Sequence, residues 1–183
     1  MKLDYENYPV IAAVRSESDF ELALSSEVQT VFLLKANIIE IEDLVRRAHE
    51  KGKLLFFHVD FIEGLSKDAA GVRYLSAKGI DGLISTRTGI ICAAKELGIT
   101  CIQRFFMIDS RSVDTALESL KQSKADLIEI MPALAYKSIT KMKHSVNTPI
   151  IAGGLIEFKE EIYSALSAGA AMISTGKKEL WSD

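Results

Sequence analysis

The sequence predicts an α/β protein with a single domain, a closed (β/α)8 TIM barrel that covers residues 1–183. Two observations predict it. Short runs rich in β-branched residues alternate with amphipathic stretches along the whole chain, and the runs number eight. Regular alternation of this kind produces parallel strands joined by helical crossovers. Eight units favour closure into a barrel, although about 23 residues per unit lies just below the usual size of this fold.

An open doubly wound sheet, flavodoxin-like or Rossmann-like, satisfies the same alternation and is the alternative architecture. No GxGxxG motif follows the first predicted strand, which weakens the dinucleotide-binding form of this alternative.

The predicted strands are residues 10–15, 30–35, 54–60, 82–86, 100–106, 126–131, 149–153 and 171–175. The stretches 39–51 and 113–122 between them have helical periodicity. Several predicted helices end in a glycine just before the next strand, where a left-handed cap belongs. These glycines are Gly52, Gly79, Gly98 and Gly169.

The composition, with 48% hydrophobic and 26% charged residues, is that of an ordinary globular protein. No apolar run is long enough to span a bilayer, and MKLDYENYP lacks the pattern of an export signal. We therefore expect a cytoplasmic protein with no membrane partner. The net charge of −3 argues against a broad basic surface for unspecific nucleic-acid binding, but not against a small basic patch. A homo-oligomer stays open, because one sequence does not reveal the oligomeric state.

Polar residues stand at the ends of several predicted strands, in phase with apolar residues earlier in the same strand. They are Arg15, Lys35, His58, Asp60, Arg104 and Glu129. Alternate side chains of a barrel strand point into the barrel. If Ile11 and Ala13 face inward, so does Arg15; if Val31 and Leu33 face inward, so does Lys35. The six side chains are then expected to converge at the carboxyl end of the barrel, where such proteins keep their sites.

Ionised groups in apolar strands are costly unless they are paired or meet a ligand. One interpretation is a polar plug, in which Arg104 pairs with Glu129 and Lys35 with Asp60. The other is a ligand site with a slight cationic excess, since Arg15 adds a third cation. That excess suits a small anionic metabolite.

The last two predicted βα units indicate a phosphate. Glycines let the backbone approach an anion closely, and a helix starting near Lys177 would offer free N–H groups. The loops after the seventh and eighth strands are the usual phosphate site of this fold. The residues concerned are Gly153, Gly154, Ser174, Thr175 and Gly176. The alternative is that the two glycines only make a tight turn.

Metal binding is not predicted, because no His, Cys or carboxylate cluster has zinc-ligand spacing. A magnesium ion between Asp60 and Glu129 is the alternative left open. No cofactor is predicted.

Four stretches of the chain, HVDFIEGLSKDAAGVRYLSAKGIDGLISTR, QRFFMIDSRSV, DLIEIMPA and PIIAGGLI, resemble the glycerol uptake operon antiterminator regulatory proteins. The resemblance covers roughly residues 10 to 181, and the D-x-x-E-G-L-x-x-D core of the first stretch is its most specific part. The matching residues are His58, Asp60, Glu63, Gly64, Lys67, Asp68, Gly71, Arg104, Asp109, Ser110, Glu129, Pro132, Gly153, Gly154, Ser174 and Thr175.

This resemblance implies a barrel that senses glycerol 3-phosphate as its effector and acts on the leader mRNA of the glycerol-utilisation transcript. It implies antitermination, hence a regulator without catalytic residues. The segment FLLKANI after the second strand departs from the polar, glycine-containing loop expected there. A small basic patch for RNA is predicted at Lys67, Arg73 and Lys78, whose alternative interpretation is an ordinary solvated helix face.

The competing hypothesis is a barrel enzyme, a lyase, isomerase or phosphodiesterase acting on a small phosphorylated metabolite. Glu129 or Asp60 would be the general base, and Lys35 or Arg104 would stabilise developing negative charge. Lys35 could also form a Schiff base if burial depressed its pKa. No nucleophile with a partner base stands out, so the regulator is preferred.

Overall fold

A closed barrel of eight parallel strands organises the protein, whose computed structural model describes residues 3–182. In chain order the strands are β1 (Val10–Val14), β2 (Thr30–Leu33), β3 (Ala36–Asn37), β4 (Leu54–His58), β5 (Ile62–Glu63), β6 (Gly82–Ser85), β7 (Thr100–Phe106), β8 (Leu127–Met131), β9 (Ile150–Gly153) and β10 (Met172–Thr175). The barrel order is β1-β10-β9-β8-β7-β6-β4-β2, and β1 closes it by pairing with both β10 and β2. The predicted barrel is confirmed, and the open sheet is wrong.

All eight predicted strands exist, and the boundaries differ from the prediction by at most two residues at either end. Two predicted strands are each two residues too long: the second, which ends at Leu33 and not at Lys35, and the third, which was expected to reach Asp60. The third ends at His58, because Val59–Phe61 forms a single 3-10 turn that carries the chain across the barrel mouth.

The two short strands β3 and β5 form a separate parallel ladder that the sequence did not predict. The segment FLLKANI does not form a glycine-containing loop. It stays extended, and the amide of Ile38 donates to the carbonyl of Glu63 over 3.0 Å. The ladder joins the loops that follow β2 and β4 and so holds one side of the barrel mouth together.

Seven helices surround the barrel in the part of the chain that the structure describes. They are α1 (Glu17–Ser25), α2 (Ile41–Glu50), α3 (Ala69–Ala77), α4 (Thr88–Glu96), α5 (Ser112–Ser123), α6 (Tyr136–Ser145) and α7 (Lys159–Ser167). The four predicted glycine caps all have positive φ, between 67° and 112°. Over residues 3–182, none of the helices combines the length and apolar character that crossing a membrane requires.

The predicted helix near Lys177 is wrong. Up to residue 182, β10 is followed by a single 3-10 turn, Lys178–Leu180, and by no α-helix. The indole Nε1 of Trp181 donates to the carbonyl of Thr175 over 2.9 Å, which folds this segment back against the barrel. A single turn lacks the aligned peptide dipoles of a helix, so this end offers no helix terminus to an anion.

The barrel interior shows which strand faces point inward. It is filled by Ile11, Phe32, Leu54, Phe56, Ile84, Ile102, Leu127, Ile151 and Met172. For β1, β4, β7 and β8 this is the predicted phase. For β2 the prediction is wrong: Phe32 lies inside, 5.7 Å from Phe56 between ring centroids, while Val31 and Leu33 pack toward the helices. The run VFLL at residues 31–34 is apolar at every position, so it shows no alternation from which the phase could be read.

Candidate functional site

A cavity of about 490 Å³, called the first cavity here, opens at the carboxyl ends of the strands. Its lining residues are Arg15, Leu34, Lys35, Asp60, Phe61, Ile62, Glu63 and Arg104. A second cavity of about 320 Å³ adjoins it and shares Arg15, Leu34 and Arg104. The second cavity is also lined by Ala13, Asp19, Glu129, Met131, Gly154, Leu155, Ser174 and Gly176. Both volumes suit a small metabolite.

Arg104 and Glu129 form a buried ion pair between these cavities. The Nε of Arg104 donates to Oε2 of Glu129 over 2.6 Å, and the hydroxyl of Ser174 donates to Oε1 over 2.6 Å. Glu129 is fully buried and Arg104 is 7% exposed. The expected Arg104–Glu129 pair is therefore confirmed. Among residues 3–182 only Nε of this guanidinium has a hydrogen-bond partner, which leaves its two terminal nitrogens as further donors.

Gly153 makes room for this ion pair rather than for a ligand. A Cβ at this position would lie 2.4 Å from Oγ of Ser174 and 2.5 Å from Oε1 of Glu129. Gly154 has φ of 79°, and it lines the second cavity with Ser174 and Gly176. The two glycines thus have different roles: Gly153 leaves space for the ion pair, and Gly154 forms part of the wall of the second cavity.

Thr175 points away from the cavities. Its hydroxyl donates to the carbonyl of Ile156 over 3.1 Å and accepts from the amide of Lys177 over 3.0 Å. The side chain is buried among these backbone groups. Thr175 therefore holds the turn after β10.

The expected Lys35–Asp60 pair is wrong. Lys35 is exposed and pairs with Glu63 over 3.3 Å, because the β3–β5 ladder brings these loops together. Asp60 instead accepts from the hydroxyl of Ser85 over 2.8 Å and from the amide of Thr86 over 2.8 Å. Burial opposes ionisation of Asp60, but these hydrogen bonds outweigh it and keep the pKa of the carboxyl below its usual value.

Arg15 is an exposed cation of the site. It lines both cavities, and it forms no ion pair with any residue of the part of the chain that the structure describes. Its charge is therefore not offset by a paired carboxylate, whereas Glu129 partly neutralises the charge of Arg104.

His58 lies beneath the first cavity on the inward face of β4. Its side chain is 1% exposed, and its ring centroid lies 4.9 Å from that of Phe61. Burial, reinforced by the positive charge of Arg104, lowers the pKa of the imidazole to about 4. His58 is therefore neutral at physiological pH.

We expect His58 to make stability depend on pH. Its pKa is about 4 in the folded protein and about 6.5 in an unfolded chain. Above pH 6.5 both states carry a neutral ring. As the pH falls from there toward 4, the unfolded state takes up the proton first, and the free energy of unfolding drops by about 3 kcal/mol.

Urea denaturation between pH 7 and pH 4.5 measures this dependence. His58→Leu is the comparison, since it should remove the share of the slope that one proton contributes. The same slope in both proteins would contradict the prediction.

The three residues predicted for RNA occupy different settings. The ammonium of Lys67 donates to the carbonyl of Ile62, and burial lowers the pKa of this lysine. Lys78 follows α3 and pairs with Glu42 over 2.5 Å. Arg73 lies exposed on α3. A shared patch stays a prediction.

Sequence reasoning missed the polar cluster after β6. Ser85, Thr86 and the nearby Arg87, whose Nε lies 3.7 Å from Asp60, fix that carboxylate. The phase argument that found the other strand ends could have found them, because polar residues also follow Ile84 directly. It also missed Phe61, for which the sequence offers no comparable signal.

Within residues 3–182, no three His, Cys, Asp or Glu side chains are grouped so that they could hold a metal ion.

The closed barrel and its arginine-lined cavities define a (β/α)8 protein with a cleft at the carboxyl ends of its strands. The chain belongs to the glycerol-3-phosphate responsive antiterminator family, whose sequence model matches residues 10–181.

Three proteins are similar to this chain over nearly its whole length. The uncharacterised Escherichia coli K12 protein YgcP is 36% identical over 174 residues, which is 94% of this chain and 91% of the relative. A glycerol uptake operon antiterminator regulatory protein from Listeria monocytogenes is 31% identical with a TM-score of 0.93, over 99% of this chain and 98% of that chain. An antiterminator-related protein from Thermotoga maritima is 29% identical with a TM-score of 0.85, over 95% and 98%.

Proposed function

We propose that this protein is a transcriptional regulator of glycerol utilisation, an antiterminator that senses glycerol 3-phosphate and binds leader mRNA. The observation that carries the effector part is the position of Arg15 and Arg104, which line both cavities at the carboxyl end of the barrel. Membership of the family supports the regulatory part.

The phosphate group of the effector lies between the two arginines in this proposal. Charge-assisted hydrogen bonds from guanidinium to phosphate are short and strong. Glu129 holds Arg104 in place through Nε, which leaves the terminal nitrogens to the phosphate. Arg15, exposed and free of an ion pair within the described residues, supplies the second cation. The polyol part of the effector then occupies the first cavity.

The geometry supports the enzyme hypothesis less well than it supports the regulator. Both carboxylate oxygens of Glu129 already accept hydrogen bonds, and so do both of Asp60. A Schiff-base lysine needs a desolvated amine, whereas Lys35 is exposed beside Glu63. These contacts favour binding over turnover.

Arg15→Ala is the direct test of the effector site. We expect about 10- to 100-fold weaker binding of glycerol 3-phosphate, because one charge-assisted hydrogen-bond partner is lost. Arg111→Ala is the matched control, an exposed arginine just before α5 that lines neither cavity. Isothermal titration calorimetry measures both. Equal affinity in Arg15→Ala and the wild type would contradict the proposed phosphate site.

Filter binding to leader RNA, with and without glycerol 3-phosphate, tests the regulatory part with the same proteins. The wild type should change its RNA affinity when the effector is added, and Arg15→Ala should need correspondingly more effector. If the RNA affinity at physiological salt is the same with and without glycerol 3-phosphate, the proposal that the effector controls RNA binding is overturned. Absence of any RNA binding would overturn the RNA partner.

A further inference from the structure

His58 is a buried polar side chain without a polar partner. It is 1% exposed, and among residues 3–182 neither Nδ1 nor Nε2 of its ring has a hydrogen-bond partner. Most buried polar side chains in proteins are hydrogen-bonded, so each exception calls for an explanation. A core histidine with a purely structural role would hold at least one partner.

A single aromatic ring separates His58 from the first cavity. The ring of Phe61 lies 4.9 Å from the imidazole, inclined by 38°, and Phe61 itself lines the cavity. Phe61 is 61% exposed, so moving its ring aside gives up little buried apolar surface. Asp60 and Arg104, whose charges both act on the imidazole, line the same cavity.

The chemistry of a neutral imidazole suits a hydroxyl group. A neutral ring carries one N–H donor and one acceptor nitrogen. A hydroxyl likewise donates one hydrogen bond and accepts others. An anion needs donors only, and Arg15 and Arg104 already provide them beside the second cavity. The cleft therefore has a cationic part and, beneath Phe61, a neutral part that both donates and accepts.

We propose that His58 binds a hydroxyl group of the effector after the Phe61 ring moves aside, and that it thereby selects hydroxylated phosphate esters over plain alkyl phosphates. This inference rests on the proposed function, since it assumes that a phosphate ester occupies the cleft. The proposal also implies that effector binding changes the protein surface. The exposed side chain of Phe61 at the barrel mouth changes position when the hydroxylated effector binds, and this alters the surface that a partner contacts.

The discriminating experiment compares sn-glycerol 3-phosphate with propyl phosphate, which has the same three-carbon chain and phosphate but no hydroxyl groups. The wild type should bind glycerol 3-phosphate at least about tenfold more tightly, the effect of one or two hydrogen bonds to a buried group. His58→Leu should bind propyl phosphate within about twofold of the wild type and lose most of the preference. His58→Gln, which keeps a donor and an acceptor, should recover part of it.

The outcomes separate the two proposals. If the wild type binds neither phosphate, both the effector site and the role of His58 are overturned. If it binds both equally, or if His58→Leu keeps the full preference, only the role of His58 is overturned. Urea denaturation of His58→Leu verifies that the variant is folded, and His58→Gln provides the test if it is not.

Phe61→Trp reports on the movement of the ring. Its fluorescence, corrected with the wild type for the contribution of Trp181, should change with glycerol 3-phosphate and much less with propyl phosphate. An identical change with both ligands would contradict displacement of Phe61 by the hydroxyl groups.

Discussion

Arg104→Met is expected to lower the free energy of unfolding by about 3–5 kcal/mol, the usual result of removing one partner from a buried ion pair. Glu129 is fully buried in the wild type. Without Arg104 its carboxylate would keep only the hydrogen bond from Ser174. A charge left unpaired at this depth is costly, so the folded state loses stability.

The double variant Arg104→Met/Glu129→Met separates the charge effect from packing. Replacing both partners of a buried pair by apolar groups of similar volume is often neutral or stabilising. We expect the double variant to recover most of the stability and neither variant to bind glycerol 3-phosphate. Urea denaturation and calorimetry measure the two effects. A single variant within 1 kcal/mol of the wild type would show that the pair does not behave as a buried ion pair.

Gly153→Ala is expected to impair stability and effector binding together. The new Cβ would lie 2.4 Å from Oγ of Ser174 and 2.5 Å from Oε1 of Glu129, so the hydrogen-bonded pair must shift. Overpacking of this kind costs about 1–3 kcal/mol. Because Glu129 positions Arg104, the affinity for glycerol 3-phosphate should fall as well.

Gly89→Ala is the matched control for Gly153→Ala. It lies on the exposed side of α4, and a Cβ there meets nothing within 4 Å. Glycine in the middle of a helix costs about 0.5–1 kcal/mol relative to alanine. Because Gly89 lies in the first turn of α4, the variant should gain at most this much stability and leave effector binding unchanged. Thermal and urea denaturation of the two variants, followed by calorimetry, gives the comparison. If Gly153→Ala binds glycerol 3-phosphate as tightly as the wild type, the claim that Glu129 positions Arg104 for the effector is contradicted.

The barrel could be predicted because its signals are local and repeated. Strand runs, helical periodicity and glycine caps each depend on neighbouring residues, and they agree along the chain. The β3–β5 ladder escaped prediction because it depends on contact between two loops. The final turn at Lys178–Leu180 escaped prediction because its shape depends on particular side-chain contacts. Among them are the hydrogen bond from the Trp181 indole to the carbonyl of Thr175 and the ion pair of Lys178 with Asp19.

The site was predictable where a charged residue stands in a strand that is otherwise uncharged. Arg104 in β7 and Glu129 in β8 were found in this way, and their pairing follows from the register that places them side by side. The same argument from alternating side chains failed at Lys35. All residues of β2 are buried, so the strand has no exposed face that would show which side chains point into the barrel. The sequence also could not show that Gly153 leaves space for the ion pair, since this role depends on Glu129 and Ser174 from two other strands.

The hydrogen bond from Arg104 to Glu129 also bears on how tightly an anion can be held. A long side chain that is ordered on binding loses rotamer entropy worth about 0.5–1.5 kcal/mol. The side chain of Arg104 is already ordered in the ligand-free protein, because Glu129 accepts a hydrogen bond from its Nε and Ser174 holds Glu129 in place. The preorganised guanidinium should therefore gain about two- to tenfold in affinity over an equally placed but mobile one. Exposed Arg15 has no such advantage and must be ordered by the anion itself.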